Sequence, residues 1–121
     1  NEMYKGILDG HSRGVFNGKI FVRQDAQKTN AFQSNRNVVL SDDAEVDTKP
    51  QLEIWADDVQ CSHGATVGQL DLDQLFYLRA RGIDKQTAKS MLLNAFASDV
   101  LSNIKIEAFR TLIENKINER L

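Results

Sequence analysis

One cysteine and one of two histidines in this 121-residue chain stand two positions apart, at Cys61 and His63. A thiolate and an imidazole bind soft and borderline metals, and the same pair can act as nucleophile and base. On an extended strand, residues two apart share a face. Val59, Ala65 and Val67 continue that alternation on either side. Cys61 and His63 therefore point the same way. By phase that way is inward, which makes Cys61 a small core hydrophobe and His63 a hydrogen-bonded core histidine. On the last strand before a change of pattern, the same phase instead presents both to whatever caps the end.

The pair is too small for a site of its own. A structural zinc site takes four ligands, and the chain holds one Cys and two His in all. His11 lies in the polar stretch Asp9-Gly10-His11-Ser12-Arg13-Gly14 and reads as an exposed loop residue. A nucleophilic Cys–His pair would need a third group to orient the imidazole, and no Gly-rich oxyanion loop exists beyond Gly64 itself. Dinucleotide-binding, P-loop and His-Glu-x-x-His patterns are absent. Two readings stay open: a metal half-site completed by a partner, or a self-contained thiol- or metal-dependent enzyme using Cys61 and His63. The expectation is a protein that is not an enzyme.

The elements that must position the pair change character around it. From Ile7 to Val67 apolar residues recur in twos, as Ile20/Val22, Val38/Leu40, Ala44/Val46, Leu52/Ile54, Val59/Cys61 and Ala65/Val67. Each pair implies a short strand with one buried face. Turn-rich stretches separate them: 9–14, Asn17-Gly18, 34–37, 41–43 and 47–50. Asn17-Gly18 is a two-residue hairpin signal. Short strands with polar corners suit stacked coils of a parallel β-helix, with a β-sandwich as the competing reading. With Leu52, Ile54 and Ala56 inward, Trp55 points outward, and a C-terminal helix is expected to cover it, with a partner surface as the alternative.

After residue 70 the apolar period becomes helical. Asp71 and Gln74 form a capping box, stapled by Leu70 and Leu75, and Gly82 ends that helix. Asp84 caps a second helix whose stripe is Ala88, Met91, Leu92, Ala95 and Phe96, broadening through Val100, Leu101 and Ile104. A third helix starts near 104–106 with Phe109, Leu112, Ile113 and Ile117 on one face, to pack on the second helix and the β part or to enter a partner's groove. Its other face is charged, with Arg110 among it. The expected domains are 1–70 and 71–121.

Composition narrows the class. The chain is 41% apolar and 26% charged with a net charge of −2. That is an ordinary globular balance with no basic stripe for nucleic acid. No apolar run approaches the roughly 20 residues of a membrane span. A single cysteine fits a reducing compartment, and the expected location is cytoplasmic. The opening at Asn1, at once strand-like, leads us to expect a piece of something longer.

Three stretches carry a family resemblance over nearly the whole chain. They are Ser12-Arg13-Gly14-Val15-Phe16-Asn17-Gly18-Lys19-Ile20, Gln33-Ser34-Asn35-Arg36-Asn37-Val38-Val39-Leu40-Ser41 and Cys61-Ser62-His63-Gly64-Ala65-Thr66-Val67-Gly68. Leu75-Phe76-Tyr77-Leu78-Arg79-x-Arg81-Gly82-Ile83 follows the last of them. The chain resembles the SufB/SufD family of iron–sulfur cluster assembly scaffolds. The motif at 61–68 sets it on the SufD side, since SufB-like sequences generally carry a Glu-His-Glu-type segment there.

The resemblance implies right-handed parallel β-helix coils followed by a small three-helix C-terminal domain. It implies a SufB-like partner and a SufC-like ATPase, docked through the helical tail at Phe109, Arg110, Leu112 and Ile113. It implies a transient iron–sulfur cluster shared with SufB at His63, with Cys61 beside it, and none bound stably by this chain alone. A parallel stack cut open exposes unpaired strand groups, so the isolated chain is expected to form a homodimer.

Overall fold

A computed structural model describes residues 1–121. Five strands precede three helices: β1 (Glu2–Leu8), β2 (Arg13–Val22), β3 (Asn30–Val39), β4 (Glu45–Ile54), β5 (Gln60–Gly68), α1 (Leu72–Ala80), α2 (Lys85–Leu101) and α3 (Glu107–Asn118). The chain forms two compact units, Asn1–Gln69 and Leu70–Leu121.

In the first unit successive strands go to alternate sheets. One sheet has the order β1-β3-β5 and the other is the pair β2-β4, and every pairing is parallel. An antiparallel sandwich is thereby excluded. Pairing Glu2 with Gln33, Asn30 with Gln60 and Arg13 with Glu45 adds one strand to each sheet per about thirty residues. The turns stack with the same step. Leu40 N–H donates to Leu8 C=O at 2.8 Å, Trp55 N–H to Val22 C=O at 2.9 Å and Gln60 N–H to Thr29 C=O at 2.9 Å.

Three stretches expected as turns lie inside strands. Asn17-Gly18 is in the middle of β2, Ser34–Asn37 in β3 and Thr48–Pro50 in β4. The cause is an interior that takes amides and small residues beside valines such as Val22 and Val38. Asn35 and Asn37 are buried on the face of β3 that meets the other sheet. Asn35 Oδ1 accepts from Asn37 Nδ2 and from Thr48 Oγ1, each at 2.7 Å, and Asn37 Nδ2 also reaches the Thr66 carbonyl at 3.3 Å. Burying amides is tolerable because these bonds replace the lost water. Gly18 belongs to the same interior. A Cβ there would stand 2.5 Å from the Phe16 ring and 2.9 Å from Gln33 Nε2, so the glycine serves close approach rather than a turn. Pro50 is accommodated because β4 pairs only with β2, which leaves one of its edges without ladder bonds to lose.

Exposed ion pairs join the outer faces of the paired strands, Arg13 with Asp47 and Lys19 with Glu53. Trp55 is 64% exposed, and its ring meets Phe21 of β2, with centroids 6.3 Å apart.

The helical unit is set by local signals. Asp71 Oδ1 accepts from the Asp73 and Gln74 N–H groups, and α1 closes with Gly82 at φ 87°. There Gly82 N–H donates to Arg79 C=O at 3.0 Å and Ile83 N–H to Leu78 C=O at 3.3 Å. That pair of bonds is the Schellman closure a C′ glycine permits. In α2 the buried residues are Ala88, Leu93, Ala97 and Leu101, while Met91 and Ala95 are exposed. The expected stripe is thus rotated by about one residue. A helix with neighbours on two sides buries a face turned to lie between them, and α2 packs against both α1 and α3.

Asp84 caps α2 by accepting from Gln86 N–H at 3.0 Å, Thr87 N–H at 3.1 Å and the Thr87 hydroxyl at 2.5 Å. These bonds, the Thr87 hydroxyl foremost, hold its carboxyl below the usual carboxylate range. A carboxyl depressed on folding stabilises above its unfolded pKa, and that contribution disappears as pH falls through the lower folded value. Asp84→Asn is expected to keep the cap but flatten this acid limb, whereas Asp84→Ala loses helicity at neutral pH as well. Far-UV circular dichroism across an acid titration reads both, and an unchanged acid limb in Asp84→Asn would count against the assignment.

Candidate functional site

β5 is the terminal strand of its sheet and pairs only with β3. Its alternation puts Cys61, His63, Ala65 and Val67 on one face, in register with Ala31, Gln33, Asn35 and Asn37 of β3. Those β3 residues include the interior amides. Cys61 and His63 thus continue the interior face of the sheet by one strand.

The terminal position changes what that face does. Ser62 through Gly68 are exposed, His63 included, and Cys61 is half-buried with a free thiol. His63 as a buried core histidine is overturned, because no further strand lies over β5 in its sheet. Two metal-binding side chains therefore stand side by side on an accessible edge. No third His, Cys, Asp or Glu joins them in a group able to hold a metal ion. A sulfur and a nitrogen from one edge can supply about half of the ligands that a cluster or its precursor takes. His11, the other histidine, is an exposed turn residue with Nδ1 3.5 Å from Asp43.

The residues expected to bind a partner lie on α3, in the helical unit. None of its side chains is buried. Phe109 is 50% exposed and Leu112 51%, while Ile113 and Ile117 are half-buried. Arg110 Nε lies 3.6 Å from Glu114 one turn on, so its guanidinium is drawn along the helix. The anticipated apolar stripe divides into two: Ile113 and Ile117 are partly shielded, and Phe109 with Leu112 faces water.

One residue escaped the sequence reading. Gln33 is buried in register with His63 and sits between it and Glu2 across the sheet. Its signal was present as the alternating polar run Gln33-x-Asn35-x-Asn37, a period-two pattern that a search for apolar alternation passes over.

The family model of the SUF system iron–sulfur cluster assembly SufBD core domain matches residues 1–96. The chain belongs to the SufBD core-domain family. It is 48% identical over 120 residues to the iron–sulfur cluster assembly protein SufD of Escherichia coli, covering 99% of this chain and 28% of that protein. A SufBD family protein of Synechocystis is 48% identical over 91% of this chain and 24% of its own length. A chloroplastic protein of Arabidopsis thaliana, ABCI7, is 43% identical over 96% of this chain and 25% of its own. The chain therefore spans roughly a quarter of the length of these SufBD relatives. Its match takes in all five strands, α1 and most of α2.

Proposed function

We propose that this chain is a SufD-type, non-catalytic scaffold segment that completes a nascent iron–sulfur cluster site at an interface with a SufB-like subunit. The observation that carries the reading is the pair of half-buried Cys61 and exposed His63 on the terminal strand, without a third ligand beside it. An edge that offers two metal-binding side chains and too few to close a coordination shell is half of a shared site. The cluster is cargo here, assembled and passed on, with His63 as the primary ligand and Cys61 as its neighbour.

The same reading extends to the fold and the partners. Parallel strands alternating between two sheets at a near-constant step support stacked coils of a right-handed β-helix, as residues 1–70, with a helical domain at 71–121. The accessible edge of β5 suits pairing with a SufB-like subunit, or with a second copy when that subunit is absent. The unburied face of α3 suits a SufC-like ATPase. A cytoplasm that keeps the thiol reduced is the setting proposed for this work.

Co-production with SufB-like and SufC-like subunits tests the proposal. Both should be retained on the tagged chain, and reconstitution should give the complex cluster absorbance and iron that the isolated chain does not hold. Failure to retain either partner, or tight metal binding with turnover by the chain alone, would overturn it. The second outcome would favour the self-contained enzyme.

A further inference from the structure

Gln33 is 3% exposed, and its Nε2 donates to Glu2 Oε2 at 2.8 Å. A carboxylate only accepts, so this bond fixes which end of the amide is which. The other end, Oε1, is buried and has no hydrogen-bond partner. Buried carbonyl oxygens rarely go unpaired. The candidate donors along this face are few. Ala31 has none, and Asn35 and Asn37 bond to each other and to β4 and β5. Across the sheet Gln33 has two partners in register, Glu2 and His63. Glu2 is already engaged through Nε2. His63 remains, on the same face and one inter-strand spacing of about 4.8 Å away, and it carries a ring N–H.

We propose that Gln33 is the positioning residue for His63. In the assembled site its Oε1 accepts one ring N–H, leaving the other ring nitrogen bare and directed at the metal. Glu2, Gln33 and His63 then form a carboxylate–amide–imidazole ladder, one residue from each strand of the sheet. A metal-binding histidine is commonly held this way, its tautomer set by the hydrogen bond that its second nitrogen makes. Gly18 contributes by leaving room for the amide from the opposite sheet. This role rests on the reading of His63 as the cluster ligand.

The test is the tautomer of His63, read from imidazole nitrogen shifts of the histidine-labelled chain in its complex with an unlabelled SufB-like subunit, at a pH where the ring is neutral. His11→Asn assigns the remaining signals. Wild type should show one dominant tautomer, and Gln33→Met should return the ring to the mixture of a free imidazole. The exchange Glu2→Gln with Gln33→Glu restores an acceptor beside His63 and should restore the dominant form. In the complex with a SufB-like subunit, Gln33→Met should lower iron content after reconstitution by about tenfold, as loss of an outer-shell partner does.

A mixed tautomer in wild type, or the same dominant form in Gln33→Met, overturns the proposal. Should Gln33→Met not fold, the wild-type spectrum and the exchanged pair decide. A dominant tautomer alongside normal cluster assembly in His63→Ala would mean the ladder is only structural. That outcome removes the positioning role together with the reading beneath it. A mixed tautomer with failed assembly in His63→Ala removes the positioning role alone.

Discussion

His63→Ala is expected to reduce cluster assembly in the complex to background while leaving fold and partner binding unchanged. The two halves of that expectation have separate physical grounds. His63 is exposed on a terminal strand, so its removal opens no cavity, and surface substitutions of that kind stay within about 0.5 kcal/mol. The imidazole is one of only two metal-binding side chains on this edge, and the chain offers no substitute for it. Cys61→Ser is the companion variant. It is half-buried, so a hydroxyl there changes packing little, but it removes the softer ligand. Equal losses in both variants would assign Cys61 as a ligand, whereas a mild effect would assign it to packing. Cluster absorbance, iron content and co-purification of the partners are the readouts. Normal iron content in a folded His63→Ala complex would sink the shared-site reading.

What the sequence revealed divides by how local the determinant is. The ends of α1 and the start of α2 were legible because caps are decided within a few residues: Asp71, Gly82 and Asp84 act where they stand. The common face of Cys61 and His63 was legible for the same reason, since a period of two needs only the strand itself. Whether that face lies in the core or at an open end was undecided. It depends on β5 being the last strand of its sheet, which is a property of pairing across about thirty residues. Asn17-Gly18, Ser34–Asn37 and Thr48–Pro50 misled because their composition belongs to turns. Here every second residue of those stretches faces an interior, where Asn35 finds Asn37 and Thr48 and Gly18 lets Gln33 approach. The stripe of α2 was misplaced because its two helical neighbours, not its own periodicity, choose which face is buried.

Phe109→Asp combined with Leu112→Asp is expected to abolish binding of a SufC-like ATPase. α3 buries none of its side chains, yet it keeps two large apolar residues half-exposed on one face. An amphipathic helix in that state is the usual form of a helix that lies in a partner's groove, read out at a spacing of three or four residues. Truncating one such anchor costs about 2 kcal/mol of binding, roughly thirtyfold, and placing a carboxylate there adds its desolvation. The double variant should therefore fall by more than about a hundredfold. The structure also makes this a cleaner pair than one that includes Ile113. Ile113 is half-buried, so Ile113→Asp would disturb the helical unit as well as its surface. Phe109 and Leu112 can change with little effect on packing, which circular dichroism and thermal melting would verify. Arg110→Ala should weaken binding less, because its guanidinium already has Glu114 as a partner. Titration calorimetry against the ATPase separates these outcomes. Undiminished affinity in the folded double variant would move the docking surface off α3.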